Sequence, residues 1–223
     1  MNFLIMFLVS KNKVLTRILA FQVCLIPFAL LTGPFLPDLL ISLSVLIFIF
    51  ISFRYKLKKY YLNKFSIVFF IFLIYLNLNS LFSIDNYLSF KSSLFYFRFG
   101  ILALIVWFLI ENQKKFCELF FYSLSFCFAI SIIDGYYQYF FDINIFGITS
   151  PGNRLNLLLN DKRALGIYFS RLFPLFLALF IIVIYHSKAL KSKYLVVLPL
   201  LLFVMTDVLI YLTGERTAIS LMF

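Results

Sequence analysis

The sequence predicts an all-α membrane protein, a polytopic bundle of transmembrane helices, and two observations carry that prediction. Hydrophobic residues make up 64% of the 223 residues, with 32 Phe among them, and the mean hydropathy is +1.03. Soluble domains are only about 45 to 50% apolar. In addition, apolar stretches recur at close to the roughly 20 residues that a helix needs to cross about 30 Å of hydrocarbon. Backbone groups in lipid must pair within their own segment, so these stretches are expected to be helices.

About seven of these stretches are complete, at residues 15–32, 38–53, 65–82, 93–110, 116–133, 165–185 and 194–212. An eighth begins near residue 217, and the sequence stops inside it at Phe223. We therefore expect residues 1–223 to form a single transmembrane domain that is the N-terminal part of a longer chain.

The charge distribution predicts the orientation. The net charge is +11, and most of the Lys and Arg residues flank alternate connections, which predicts that those connections and the N-terminus face the cytoplasm. The basic excess thus indicates topology, and nucleic acid is not expected as a partner. The outward connections are then residues 33–37, 83–92, 135–164 and 213–216. We expect the longest of them, 135–164, to be a periplasmic loop.

The basic residues left on or near the outward side are mostly arginines. Arg binds phosphate oxygens with a planar fork that the point charge of Lys lacks. The set therefore indicates a phosphate-bearing ligand near the outer leaflet, and its members are Lys91, Arg98, Arg154, Lys162, Arg163, Arg171 and Arg216.

The segment Thr213–Ala218 places Glu215 and Arg216 side by side between two apolar runs. An Arg near the bilayer centre costs about 2.5 to 3.5 kcal/mol and less toward the interface, so such residues usually bind or transfer something. Glu215 either holds Arg216 in place or acts as an acid or base, and the sequence leaves both roles open.

Two further arginines lie a few residues inside predicted spans. Arg98 sits in an aromatic run, and Arg171 precedes Pro174, which should kink its helix and open room for a ligand. Either Arg binds substrate, or it extends to the headgroups or pairs with an acid such as Asp207. Asp207, Tyr211 and Glu215 are spaced to share one helix face, which should face the bundle interior. Asp207 is expected to be a structural polar partner, with a proton-relay acid as the alternative.

In the long loop, Arg154 and Arg163 are candidate binding residues, although a solvated surface position is the favoured interpretation of Arg163. No group of His, Cys, Asp and Glu has metal-ligand spacing, and no nucleotide-binding or nucleophile-elbow motif occurs. We expect no cofactor and no metal.

Several segments together resemble the N-terminal half of the bacterial O-antigen ligases and O-antigen polymerases. The resemblance covers most of the chain, and Gly-Glu-Arg-Thr at residues 214–217 is its most specific part. The other matching segments are Leu31–Asp38, Phe95–Gly100 and Arg154–Pro174.

The resemblance implies a multispan enzyme of the bacterial inner membrane. Members of this family move a glycan from an undecaprenyl-pyrophosphate carrier to a lipid or glycan acceptor at the periplasmic face. By position in the family, Arg216 and Arg154 would hold the pyrophosphate, and the family's catalytic His would lie beyond Phe223. On this basis we expect Arg216 and Arg154 to be catalytic, and Arg98, Arg163, Arg171 and Glu215 to bind substrate. The chain by itself should be inactive.

Two other classes of protein remain open from the residues alone. A secondary transporter would also contain many helices with buried Asp and Arg, but should show discontinuous helices in related halves. A non-catalytic membrane scaffold would need none of the outward arginines.

Overall fold

The computed structural model describes residues 13–149, 155–156, 164–186, 194–214, 217–218 and 220. These residues form α-helices and connecting turns, with no β-strand apart from an isolated bridge between Ile143 and Thr149. The helices are α1 (Lys13–Leu31), α2 (Phe35–Tyr55), α3 (Lys58–Tyr61), α4 (Lys64–Ser80), α5 (Asn86–Leu94), α6 (Phe97–Asn112), α7 (Phe116–Phe141), α8 (Leu165–His186) and α9 (Tyr194–Leu212). The predicted all-α class is confirmed.

Within the described residues, five segments are long and apolar enough to cross a membrane: Val14–Leu31, Phe35–Tyr55, Asn86–Asn112, Phe116–Phe141 and Leu165–Val183. The helical segments Lys64–Ser80 and Leu200–Leu212 are apolar but shorter. Fewer than half of the residues in each of the five spans are buried in the isolated chain. Apolar helices that leave so much of their surface uncovered are typical of proteins whose solvent is lipid.

The span predicted at 116–133 is longer in the structure, because α7 continues to Phe141. The expected loop at 135–164 is therefore helical over its first residues, and Gly135, which was placed in that loop, lies inside α7. Gly135 is needed there for packing: a Cβ at this position would lie 2.6 Å from a methyl carbon of Leu209 on α9. Small residues allow such close approach between membrane helices. Near Gly135, the Tyr136 hydroxyl donates to the Met205 carbonyl at 3.1 Å.

The chain divides into two compact units. Unit 1 comprises Met1–Val23 and Asp38–Phe116, and unit 2 comprises Cys24–Pro37 and Cys117–Phe223. This division was not predicted from the sequence.

In unit 1, α2 and α6 run in the same direction. Arg98 on α6 pairs with Asp38 near the start of α2. Further along, the ring centroids of Phe48 and Phe108 are 5.5 Å apart. Beyond the end of α2, the hydroxyl of Tyr60 on α3 donates to Glu111 Oε2 at 2.7 Å. Since α2 has 21 residues, it is about 31 Å long, close to the thickness of the hydrocarbon layer.

In unit 2, an aromatic core joins α7 to α8 and α9. The ring of Phe128 on α7 is stacked on Phe176 at 5.2 Å and lies edge-on to Phe169 at 5.3 Å. Phe173 contacts Phe203 of α9, with ring centroids 5.2 Å apart. Such aromatic pairs add about 0.5 to 1.5 kcal/mol each beyond the area that they bury.

Candidate functional site

In unit 1, Arg98 is held at the start of α6 by two residues of α2. Its Nη2 lies 3.3 Å from Asp38 Oδ2, and its Nη1 donates to the Ser42 hydroxyl at 3.3 Å. Asp38 and Ser42 are one helical turn apart, and the Ser42 hydroxyl donates to the Asp38 carbonyl. The rings of Phe95 and Phe99 flank the guanidinium, with the centroid of Phe99 5.6 Å from Cζ. This contact adds cation–π attraction to the ion pair.

One nitrogen of the Arg98 guanidinium has no hydrogen-bond partner among the described residues. This nitrogen, Nε, is buried, and the Arg98 side chain is only 21% exposed. Buried polar atoms nearly always have a partner, so an unpaired donor calls for an explanation. A fixed guanidinium with a free donor can bind an anionic oxygen. Because a guanidinium stays protonated in proteins and only donates hydrogen bonds, its chemistry is binding and charge stabilisation.

In unit 2, a buried polar network connects α7 to the loop that follows it. Asp134 and Gln138 are one turn apart on α7 and almost fully buried. Asp134 Oδ1 accepts the Ile145 N–H at 2.8 Å, and its Oδ2 accepts a bond from the Gln138 amide. Gln138 also exchanges two hydrogen bonds with the backbone of Asn156, at 2.9 and 3.2 Å. The network therefore fixes residues 145 and 156 against α7.

Two atoms near this network have no hydrogen-bond partner in the described part of the chain: Asn156 Oδ1 and Ser131 Oγ. Both residues are fully buried. Sequence analysis did not select Asp134, Gln138 or Asn156 as site residues. The signal available was the spacing of Asp134 and Gln138, which places two polar side chains on one face of an otherwise apolar helix.

Three of the predicted site residues are described in the structure. Arg98 pairs with Asp38, a partner that the sequence did not suggest. Arg171 is exposed on α8, and Asp207 is half-buried on α9. No ion pair joins Arg171 to Asp207. Tyr211 was expected to face the bundle interior with Asp207, but it is 74% exposed.

The remaining predicted site residues, Arg154, Arg163, Glu215 and Arg216, lie outside the described residues. Their described neighbours are informative. Leu155 and Ala218 are buried in the same hydrophobic core cluster of unit 2, together with Leu165, Leu209 and Ile210. Leu155 and Ala218, which follow Arg154 and Arg216 in the sequence, thus belong to one core.

The described residues contain no group of three or more His, Cys, Asp and Glu side chains able to hold a metal ion.

Helices of this number, length and composition define a multi-pass membrane protein. Comparisons of the chain with protein-family models, with curated proteins and with solved structures each found no match. The function is therefore inferred from the residues of this chain.

Proposed function

We propose that the protein is a glycan transferase of the O-antigen ligase or O-antigen polymerase type in the bacterial inner membrane. It moves an oligosaccharide from an undecaprenyl-pyrophosphate carrier to a lipid or glycan acceptor at the periplasmic face. The proposal includes a bundle of about seven complete spans and the start of an eighth, with the N-terminus in the cytoplasm. It requires α4 and α9 to cross the membrane, although their apolar segments are shorter than those of the five candidate spans.

The observation that supports the proposal best is the core cluster shared by Leu155 and Ala218. Leu155 directly follows Arg154, and Ala218 lies two residues after Arg216. Residues far apart in the sequence whose neighbours share one core are candidates for a joint site. Two arginines acting together suit a diphosphate, because each fork can bind two oxygens.

The chemistry requires positive charge where the leaving group develops negative charge. The acceptor hydroxyl oxygen attacks the anomeric carbon of the donor sugar, and the bond from that carbon to the carrier pyrophosphate breaks. The bonding electron pair remains on the pyrophosphate, and the hydroxyl proton passes to a general base, for which the family resemblance implies a His. Arg154 and Arg216 would stabilise the leaving pyrophosphate, as fixed charges do in other transferases.

The other selected residues have binding roles in this proposal. Arg98 would bind substrate through its free Nε donor, while Asp38 and Ser42 hold the rest of the guanidinium. Arg163 and Arg171 would contact anionic or hydroxyl groups of the glycan carrier, and Glu215 would orient Arg216. Asp207 is kept as a structural polar residue.

The test is glycan transfer by the full-length protein in membranes that contain a carrier-linked donor. Arg216→Ala and Arg154→Ala should each lower transfer by about a hundredfold or more, the usual effect of removing one group that stabilises a developing anion. Arg→Lys at either position should restore only part of the activity, because Lys has no fork. The matched control is Arg54→Ala, an exposed arginine at the end of α2, which should keep full transfer.

Every variant must also insert into the membrane as the wild type does. Full transfer by Arg216→Ala would remove that residue from the mechanism, and full transfer by both alanine variants would overturn the proposed function.

A secondary transporter is the second candidate, and the observation that favours it is Asp134. A fully buried acid inside a candidate span is typical of proton-coupled transport. However, both carboxylate oxygens of Asp134 already accept hydrogen bonds from the protein, which suits a structural role. Asp134→Asn separates the two functions: a transporter would lose proton-coupled uptake into proteoliposomes, whereas the transferase would keep the transfer reaction.

A further inference from the structure

Unit 1 contains an apolar groove at the end of α2. It has a volume of about 610 Å³, and its lining combines aliphatic and aromatic side chains with two lysines: Ile49 and Phe53 of α2, Ile101 of α6, Tyr61 of α3, Lys56 and Lys58. The site selected for the proposed function uses none of these residues.

The groove extends across the end of a candidate membrane span. Ile49 and Phe53 belong to the span Phe35–Tyr55, whereas Lys56 and Lys58 follow it. The stretch of helix from Ile49 to Lys56 is about 10 Å long. With the span Phe35–Tyr55 across a bilayer, the apolar side chains of the groove would lie at hydrocarbon depth, and the ammonium groups of Lys56 and Lys58 would lie where the headgroups begin.

Both lysines are available for a ligand. Their neighbour Lys59 already forms an ion pair, since its Nζ lies 2.7 Å from Glu111 Oε2. Lys56 and Lys58 are exposed and form no ion pair with any described residue. The mouth of the groove therefore has two uncompensated positive charges.

The backbone holds Lys56 in a conformation that usually belongs to glycine. Its φ is +50°, and the Leu57 N–H donates to the Ser52 carbonyl at 3.2 Å, as in the motif that ends many helices with a left-handed residue. A Lys in this conformation is strained, and glycine would fit better. Replacing Lys56 by glycine would therefore remove the charge and keep the helix end.

We propose that this groove binds an anionic phospholipid. One acyl chain lies along Ile49, Phe53 and Ile101, and the headgroup phosphate is held by the ammonium groups of Lys56 and Lys58. Basic pockets between membrane helices bind anionic headgroups in this way. A zwitterionic lipid would place a positive choline or ethanolamine group near the same two charges, so the site should discriminate by headgroup.

The test is lipid retention by the delipidated full-length protein in detergent, measured by native mass spectrometry with phosphatidylglycerol and phosphatidylcholine in competition. The wild type should prefer phosphatidylglycerol. Lys56→Gly and Lys58→Ala should each lower this preference about fivefold, the contribution of one surface cation near an anionic lipid. Lys114→Ala is the matched control, because it removes an exposed lysine just beyond α6 that does not line the groove. It should keep the wild-type preference.

A second variant tests the apolar part of the groove. Ile49→Trp fills the groove and should lower retention of both lipids while Lys56 and Lys58 stay in place. Equal retention of the two lipids by the wild type would overturn the proposal, and so would an unchanged preference in Lys56→Gly. That variant is expected to fold at least as well as the wild type, so its result is decisive.

Discussion

Gly214 ends α9 immediately before Glu215 and Arg216. Its φ is +66°, and its N–H donates to the Tyr211 carbonyl at 3.2 Å while the Thr213 N–H donates to Leu209. Apart from its chain neighbours, no atom of the described residues lies within 4 Å of a Cβ built on Gly214. The requirement for glycine at this position thus comes from the backbone conformation and not from lack of space.

We expect Gly214→Ala to lower stability by about 1 to 2 kcal/mol, because an L-residue is strained in the left-handed region. Gly214→Asn should lose less, since Asn tolerates this conformation best among residues with a side chain. The measurement is the free energy of unfolding in detergent. Equal losses for Ala and Asn would show that the backbone conformation is not the cause.

The pairing of Arg98 with Asp38 could not be predicted from the sequence. The two residues are 60 positions apart, and the sequence placed each of them at the outer end of its own span without relating the spans to each other. Asp134 was missed for a different reason. The residues after it were assigned to the expected loop 135–164, and only the fold shows that residues 145 and 156 return to α7.

At the scale of elements, the sequence predicted helices well because apolar length is a strong signal in a membrane protein. The starts and ends were less accurate. The predicted span 93–110 covers a break, since α5 ends at Leu94 and α6 begins at Phe97. Gly135 was placed in the expected loop 135–164, whereas it lies inside α7 in close approach to Leu209. Contacts between helices cannot be deduced from composition.

Packing of α4 against α6 depends on Gly100. A Cβ at this position would clash with the ring of Phe69 on α4. Gly100→Ala must displace that ring, and we expect a loss of about 1 to 3 kcal/mol, the usual cost of overpacking. Unfolding of the single variant and of the double variant with Phe69→Leu measures the effect. The smaller Leu should recover part of the loss, and a double variant less stable than the sum of the two single changes would contradict this packing.

The turn α3 is joined to α6 through the carboxylate of Glu111. The Glu111 carboxylate accepts hydrogen bonds from Lys59 Nζ and the Tyr60 hydroxyl at 2.7 Å, and from Trp107 Nε1 at 2.8 Å. Tyr60 is only 4% exposed. Its burial, and then its hydrogen bond to Glu111 and the negative charge of that residue, raise the pKa of Tyr60.

This raised pKa predicts how stability depends on pH. An unfolded Tyr loses its proton near pH 10, whereas folded Tyr60 keeps it, so above about pH 10 the unfolded state binds fewer protons and stability falls as pH rises. Tyr60→Phe should make this fall in stability with pH shallower. Below about pH 10 the variant should be less stable than the wild type, because Phe cannot donate the hydrogen bond to Glu111. The unfolding free energy between pH 8 and 11 measures both effects. Tyr75→Phe is the control at an exposed tyrosine and should follow the wild type, and a Tyr60→Phe curve parallel to the wild type would contradict the argument.

At the scale of the whole molecule, unit 1 relates the two ends of its helices to the two membrane surfaces. Lys59 and Glu111 are in an ion pair, so the chain at residue 59 and the end of α6 lie at the same level. Asp38 and Arg98 are paired toward the other ends of the same helices. Between Lys59 and Glu111 the chain would therefore cross a membrane an even number of times. If α6 is one of these crossings, we expect α4 to be the other in spite of its 17 residues.

We expect reporters fused after Lys59 and after Lys115 to lie on the same side of the membrane, and a reporter after Ser83 to lie on the opposite side. The distribution of Lys and Arg predicts that the first two are cytoplasmic, and that a reporter after Asn153 is periplasmic. A helix of 17 residues is about 25 Å long, and a bilayer adapts to this small mismatch by local thinning. Phosphatase and fluorescent-protein fusions at the four positions measure the topology. If the reporters after Lys59 and Lys115 lay on opposite sides, α4 would not cross, and the outward location of every arginine after it would be reversed.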